Sequence, residues 1–207
     1  MLELKDGRLS INGQVVFRNL SFVAEPREVL LLTGKGRHSV VEALMGFRMM
    51  DGGWVSVGYE PMLPLSATLL RGQIVYVPAD LPVWNGTEHG PRVSSLLRAP
   101  YKTGACDESF SKQAFMDEWN LLGIETELFD LRVTELDLST LRRIILSLAG
   151  VLKRPVVVVD FPDDGGGYDL EGDYLRRLAD KGRAVVVSAD DDVLIRKSNK
   201  VIVVRNS

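Results

Sequence analysis

Apolar positions along this chain fall into two rhythms. In Leu2-Glu-Leu-Lys-Asp-Gly-Arg-Leu-Ser-Ile they alternate with polar ones, the period of a half-buried strand. Asn12-Gly13 then supplies a hairpin turn signal, and Gln14 to Ala24 continues as strand. Trp54 to Tyr59 alternates in the same way. Elsewhere the apolar runs are unbroken: Val29-Leu-Leu-Leu, Ile74-Val-Tyr-Val, Val156-Val-Val-Val and Ala184-Val-Val-Val, with Val201-Ile-Val-Val closing the series. Runs of this kind predict strands buried on both faces, as in a parallel sheet.

Between these runs the apolar spacing turns helical. Val40, Val41, Leu44 and Met45 lead to Gly46, a C-cap signal. Phe110 to Leu122 places Phe115, Trp119 and Leu122 on one face, and Glu125 to Leu131 is a shorter helical segment. Leu138 to Leu152 carries a stripe of Leu141, Ile144, Ile145, Leu148 and Leu152. Leu170 to Lys181 and Asp191 to Lys197 complete the helices, and Asp80 to Pro91 reads as loop. Strands alternating with helices predict an α/β fold, a mostly parallel central sheet with an antiparallel β part at the start. Residues 1–207 are expected to form one domain, with a small helical subdomain over about 93–145.

Composition narrows the function classes. A formal net charge of −3 gives no electrostatic ground for nucleic-acid binding. Cys106 is the only cysteine, which excludes an internal disulfide and a cysteine zinc cluster. The first residues lack the pattern of a signal peptide, and no apolar run reaches the roughly 20 residues that span a bilayer. Trp54, Trp84 and Trp119 read as packing residues.

The chemistry is concentrated after Val29-Leu-Leu-Leu-Thr. Strand, Gly34-Lys35-Gly36 turn and helix is the layout of a phosphate-binding loop, in which backbone N–H groups cradle an anion. The consensus G-x-x-x-x-G-K-[ST] is not satisfied. Gly34 and Gly36 are one residue apart where four are expected, and Arg37, His38 and Ser39 follow instead of Lys-Ser. Lys35 and Arg37, both cationic, are candidates to hold an anion. The plainer reading is a tight strand-to-helix turn with solvated cations and a surface His38.

Four stretches in order resemble the nucleotide-binding subunit of ABC transporters, over nearly the whole chain. Phe17-Arg-Asn-Leu-Ser-Phe followed by Arg27-Glu-Val-Leu looks like that family's entry to its phosphate loop. Gly36 to Gly46 keeps its spacing from the last loop glycine to the helix-ending glycine. Leu121-Leu-Gly-Ile with Val133-Thr-Glu-Leu-Asp-Leu-Ser-Thr-Leu-Arg-Arg, then Leu152-Lys-Arg-Pro-Val-Val-Val-Val-Asp, is similar to its signature helix running into the Walker B strand. The resemblance implies a P-loop NTPase-like ABC ATPase fold and ATP with magnesium as ligands.

Residue by residue, the same resemblance implies losses. Arg37 stands at the phosphate-contacting lysine and His38 at the magnesium hydroxyl. Ile11 stands at the adenine-stacking aromatic and Ala79 at the glutamine after the second core strand. The signature appears as Asp137-Leu138-Ser139-Thr140-Leu141 without its glycines. Asp160, the candidate metal carboxylate, is kept, but Phe161 replaces the catalytic glutamate and Ala189 the switch histidine. Phe161 cannot polarise a water, Ala189 cannot reach a phosphate, and a histidine is a poor magnesium ligand. The expectation is therefore a pseudo-ATPase that does not hydrolyse ATP alone. It would be a structural or regulatory partner of a membrane permease, of a competent ABC ATPase, or of both. Family members pair head to tail, so a homo- or heterodimer is expected, cytoplasmic and held at the inner face of a membrane through its partner. Two other readings remain open. One is a divergent but active ATPase in which Asp163 or Asp164 acts on water. The other is an ABC-like interaction module without a transport role.

Overall fold

The computed structural model describes residues 1–81, 90–103 and 109–205. Trp84, Cys106 and most of the expected 80–91 loop lie outside the described residues. The chain divides into two compact units, one of residues 1–79 with 154–207 and the other of residues 80–153.

The first unit holds two sheets. Strands β1 (Leu2–Ile11) and β2 (Gln14–Ala24) form the expected hairpin, and Asn12 takes a positive φ of 51° at its turn. After β3 (Val29–Thr33) and α1 (Arg37–Leu44) come β4 (Gly52–Val57) and the two-residue β5 (Glu60–Pro61). These complete an antiparallel sheet of order β2-β1-β4-β5. A short helix α2 (Ala67–Arg71) precedes β6 (Ile74–Val77).

The second unit carries α3 (Val93–Lys102), α4 (Lys112–Leu121) and α5 (Leu138–Val151). Short 3₁₀ turns at Thr126–Asp130 and Val133–Glu135 link the last two. The chain then returns to the first unit with β7 (Val156–Asp160), α6 (Asp169–Asp180), β8 (Ala184–Ser188), α7 (Asp192–Lys197) and β9 (Lys200–Val203). Its second sheet is fully parallel, in the order β6-β7-β8-β3-β9.

The unbroken apolar runs of β3, β6, β7 and β8 sit where burial on both faces demands them, whereas β9, at the sheet edge, leaves Val201 and Val203 exposed. Every residue of β7 and β8 is buried. Leu30, Leu32, Val156, Val158, Ala184 and Val186 join a core with α1 and the antiparallel sheet. The alternate residues Leu31, Val157, Val159, Val185 and Val187 point to the opposite face and are equally buried. There α6 packs on β8 and β3, and α7 packs on β3. Helix α1 stops as Gly46 signals: Gly46 takes φ 65°, its N–H donates to Ala43 O at 3.0 Å, and Phe47 N–H donates to Glu42 O at 2.9 Å. That pair is a Schellman closure, which needs the left-handed residue glycine supplies.

Within the second unit, Phe115 and Trp119 of α4 are fully buried, as their shared face predicts. Trp119 Nε1–H donates to Ser147 Oγ of α5 at 3.1 Å. Helix α5 departs from a simple stripe: Leu146, Ala149 and Val151 are buried, whereas Ile145 and Leu148 are only half-buried. The helix is covered on more than one side, so a single amphipathic period does not describe it. Trp54 is 43% exposed on β4 and is not the packing residue expected.

Candidate functional site

Parallel sheets present their working groups at the carboxyl ends of the strands. Register fixes which residues meet there. Leu32 pairs with Ser188 and Asp160 also pairs with Ser188, so the ends of β3, β8 and β7 lie side by side. Thr33 and Gly34 leave β3, Asp160 and Phe161 leave β7, and Ser188, Ala189 and Asp190 leave β8.

The Gly34–Gly36 segment is a tight turn. Arg37 N–H donates to Gly34 O at 3.0 Å. Gly34 has φ 96°, and a side-chain carbon on it would lie 2.5 Å from Val204 O. On Gly36 such a carbon would lie 2.7 Å from Val204 Cγ1. Both positions therefore require glycine for packing against the chain beyond β9. Gly34 N–H is taken by Asp190 Oδ1 at 2.8 Å, and Thr33 Oγ1–H bonds the same oxygen. Lys35 is exposed on the turn.

Arg37, at the first position of α1, is not a solvated cation. It is 1% exposed. Its Nη1 donates to Phe161 O at 2.9 Å, to Ser188 Oγ at 3.0 Å and to Asp160 Oδ1 at 3.3 Å. Its Nη2 donates to Asp163 Oδ1, and its Nε lies 3.6 Å from Asp190 Oδ2. A buried guanidinium is tolerated only when its donors are paired, and here one fork reaches acceptors from two separate stretches of chain, residues 160–163 and 188–190. His38 is half-buried rather than a free surface residue. Its Nδ1 stands 2.9 Å from both oxygens of Asp160, and its Nε2 3.5 Å from Asp163. Ser39 follows, half-buried on α1.

Phe161 is fully buried and stacks on Tyr168, ring centroids 4.0 Å apart. Its N–H donates to Ser188 O at 2.8 Å. Ala189 is buried too, its N–H on Leu32 O at 3.0 Å. Burial pushes the Asp190 carboxyl up, but the hydrogen bonds from Thr33 and Gly34 and the Arg37 charge outweigh it, and the pKa is lowered.

The signature-like segment belongs to the second unit and acts there as a helix cap. Asp137 accepts from Thr140 N–H at 2.8 Å and Thr140 Oγ1–H at 2.7 Å, the N-cap arrangement at the start of α5. These bonds, the side-chain one foremost, lower the Asp137 pKa. Leu138 is exposed, Leu141 is buried, and Ser139 Oγ accepts from Arg143 at 3.3 Å.

The structure thus gathers Gly34, Arg37, His38, Asp160, Phe161 and Ala189 at one sheet edge. Two partners, Thr33 and Ser188, do not stand out as site residues in the sequence. Their signal was positional: each is a polar residue at the carboxyl end of a buried apolar strand.

No family model matches the chain. Residues of this chain are 33% identical over 73 positions to an uncharacterized ABC transporter ATP-binding protein, YfiB, of Bacillus subtilis strain 168. That match spans 34% of this chain and only 13% of the relative. Solved structures align over almost the full length. A dimeric bacterial ABC transporter cassette, MJ0796, matches with TM-score 0.80 at 14% identity, covering 100% of this chain and 95% of the other. CbiO1 of Clostridium perfringens, part of the ABC transporter complex cbiONQ, matches with TM-score 0.75 at 15% identity, covering 99% and 84%. The chain therefore has the fold of the ATP-binding cassettes of ABC transporters.

Proposed function

We propose that this cassette does not hydrolyse ATP by itself and serves as a structural or regulatory subunit beside a membrane permease, a competent ABC ATPase, or both. The observation that carries the reading is Phe161. Directly after the last residue of β7, where ATPase chemistry in this fold calls for a carboxylate, a fully buried aromatic ring packs on Tyr168 instead. Ala189, buried at the end of β8, likewise offers no side-chain donor for a phosphate.

A partner supplies what the chain lacks. MJ0796 is a dimer and CbiO1 is part of a transporter complex, and a homo- or heterodimer is the corresponding proposal here. Among the described residues no helix is long and apolar enough to cross a membrane; the proposed contact with one is made by the permease subunit. Residues 47–69 offer a surface for that subunit: Phe47, Met49, Leu63, Leu65 and Leu69 are all more than half exposed.

The test is ATP turnover in the assembly purified from solubilised membranes. Replacing the partner ATPase's catalytic carboxylate should abolish turnover, whereas the small change Ala189→Ser in this chain should not. Undiminished turnover after the partner's residue is lost overturns the proposal.

A further inference from the structure

The residues at the ends of β3, β7 and β8 do not fit a magnesium–polyphosphate group. Asp160, the carboxylate that would face a metal, is already held by His38 at 2.9 Å and Arg37 at 3.3 Å. His38 brings a ring nitrogen where magnesium prefers oxygen. The N–H of Gly34 is spent on Asp190. Three carboxylates, Asp160, Asp163 and Asp190, surround a single buried guanidinium, so the charge left over is negative and repels a polyphosphate.

We infer that Arg37 is a built-in cation that closes this site without nucleotide, tying the glycine turn to the ends of β7 and β8. The chemistry suits an arginine specifically. The acceptors are a carbonyl, a hydroxyl and carboxylates lying in different directions, and the guanidinium presents five donors in one rigid plane. An ammonium has three donors on one atom and cannot span from Asp190 to Asp163. Because the acceptors come from separate stretches, losing the guanidinium unties the end of β7 from the end of β8 and leaves Asp160 buried beside His38 alone, while Asp190 keeps only Thr33 and Gly34. Arg37 is thus a positioning residue for the whole strand edge. This inference rests on the reading of the chain as non-hydrolysing, but its test needs neither a partner nor turnover.

The experiment follows the Arg37 Nε–H by nitrogen-15 NMR in the wild-type protein, assigned by its loss in Arg37→Lys. A slowly exchanging signal at neutral pH, unmoved by magnesium-ATP, is expected. Arg37→Ala should lower Tm by roughly 6–20 °C, the loss expected when one partner of a buried ion pair is removed from a chain of this size. Low millimolar guanidinium should raise the Tm of that variant and not of the wild type, by refilling the space. Should Arg37→Ala not fold, Asp163→Asn, in an exposed side chain, should still lower Tm and speed exchange of the Arg37 signal. A rapidly exchanging Arg37 signal, its displacement by magnesium-ATP, or Arg37→Ala recovering no better with guanidinium than the wild type overturns the inference. ATP turnover by pure protein with a protected Arg37 would instead overturn the non-hydrolysing reading and leave the role of Arg37 standing.

Discussion

Truncating Phe161 tests whether the aromatic at the end of β7 is packing. The ring is fully buried, and the ring of Tyr168, itself 8% exposed, stacks on it at 4.0 Å and 27°. Phe161→Ala removes the transfer energy of the ring and leaves a cavity, together about 3–5 kcal/mol for a buried phenylalanine. Of this, roughly 0.5–1.5 kcal/mol belongs to the aromatic pair and should disappear in a double-mutant cycle with Tyr168→Leu. The backbone carbonyl of residue 161 still accepts from Arg37, so the loss is one of packing. A domain holds only about 5–15 kcal/mol in total, so the variant should unfold at a clearly lower urea midpoint with an unchanged slope. Phe161→Glu should lose at least as much, because it buries a carboxylate without a partner, and should gain no ATP turnover. A loss under about 1 kcal/mol for either variant, or turnover in Phe161→Glu, refutes the reasoning.

Three further outcomes are expected. Asp137→Ala should cost about 1 kcal/mol in urea unfolding by removing the N-cap of α5, with Asp137→Asn close to neutral; equal losses in both would show that charge rather than capping matters. Ser147→Ala strands the Trp119 Nε1–H in the interior and should cost roughly 1–3 kcal/mol, read by tryptophan-monitored denaturation. Asp190 carries a lowered pKa in the fold, so its stabilisation is fully present above the unfolded value of about 3.9 and is lost as pH falls through the lower folded value. The Tm difference between wild type and Asp190→Asn should therefore be largest near neutrality and shrink in acid; a difference constant with pH contradicts this.

Much of the fold was legible because burial writes itself into sequence. The all-valine runs at 156–159 and 185–187 admit only strands covered on both sides, and the structure places both inside the parallel sheet. Gly46 ended α1 for a conformational reason that a single residue type carries. The five-residue α2 is too short for a period to emerge, and α3 carries Pro100, a helix-breaking signal, inside it. At the site, sequence order gave the candidates but not their geometry. Arg37 next to a glycine turn reads as a cation for an anion in solvent. Its inward path depends on acceptors more than 120 residues away, on Asp160, Phe161 and Ser188, and no local pattern encodes such pairing.

Calorimetric titration of the purified wild-type protein with magnesium-ATP tests the central claim most directly. The account predicts no saturable binding tighter than about 1 mM, because Arg37 and its carboxylates already fill the strand edge. Saturable binding below that level, displacing the Arg37 signal, would contradict it.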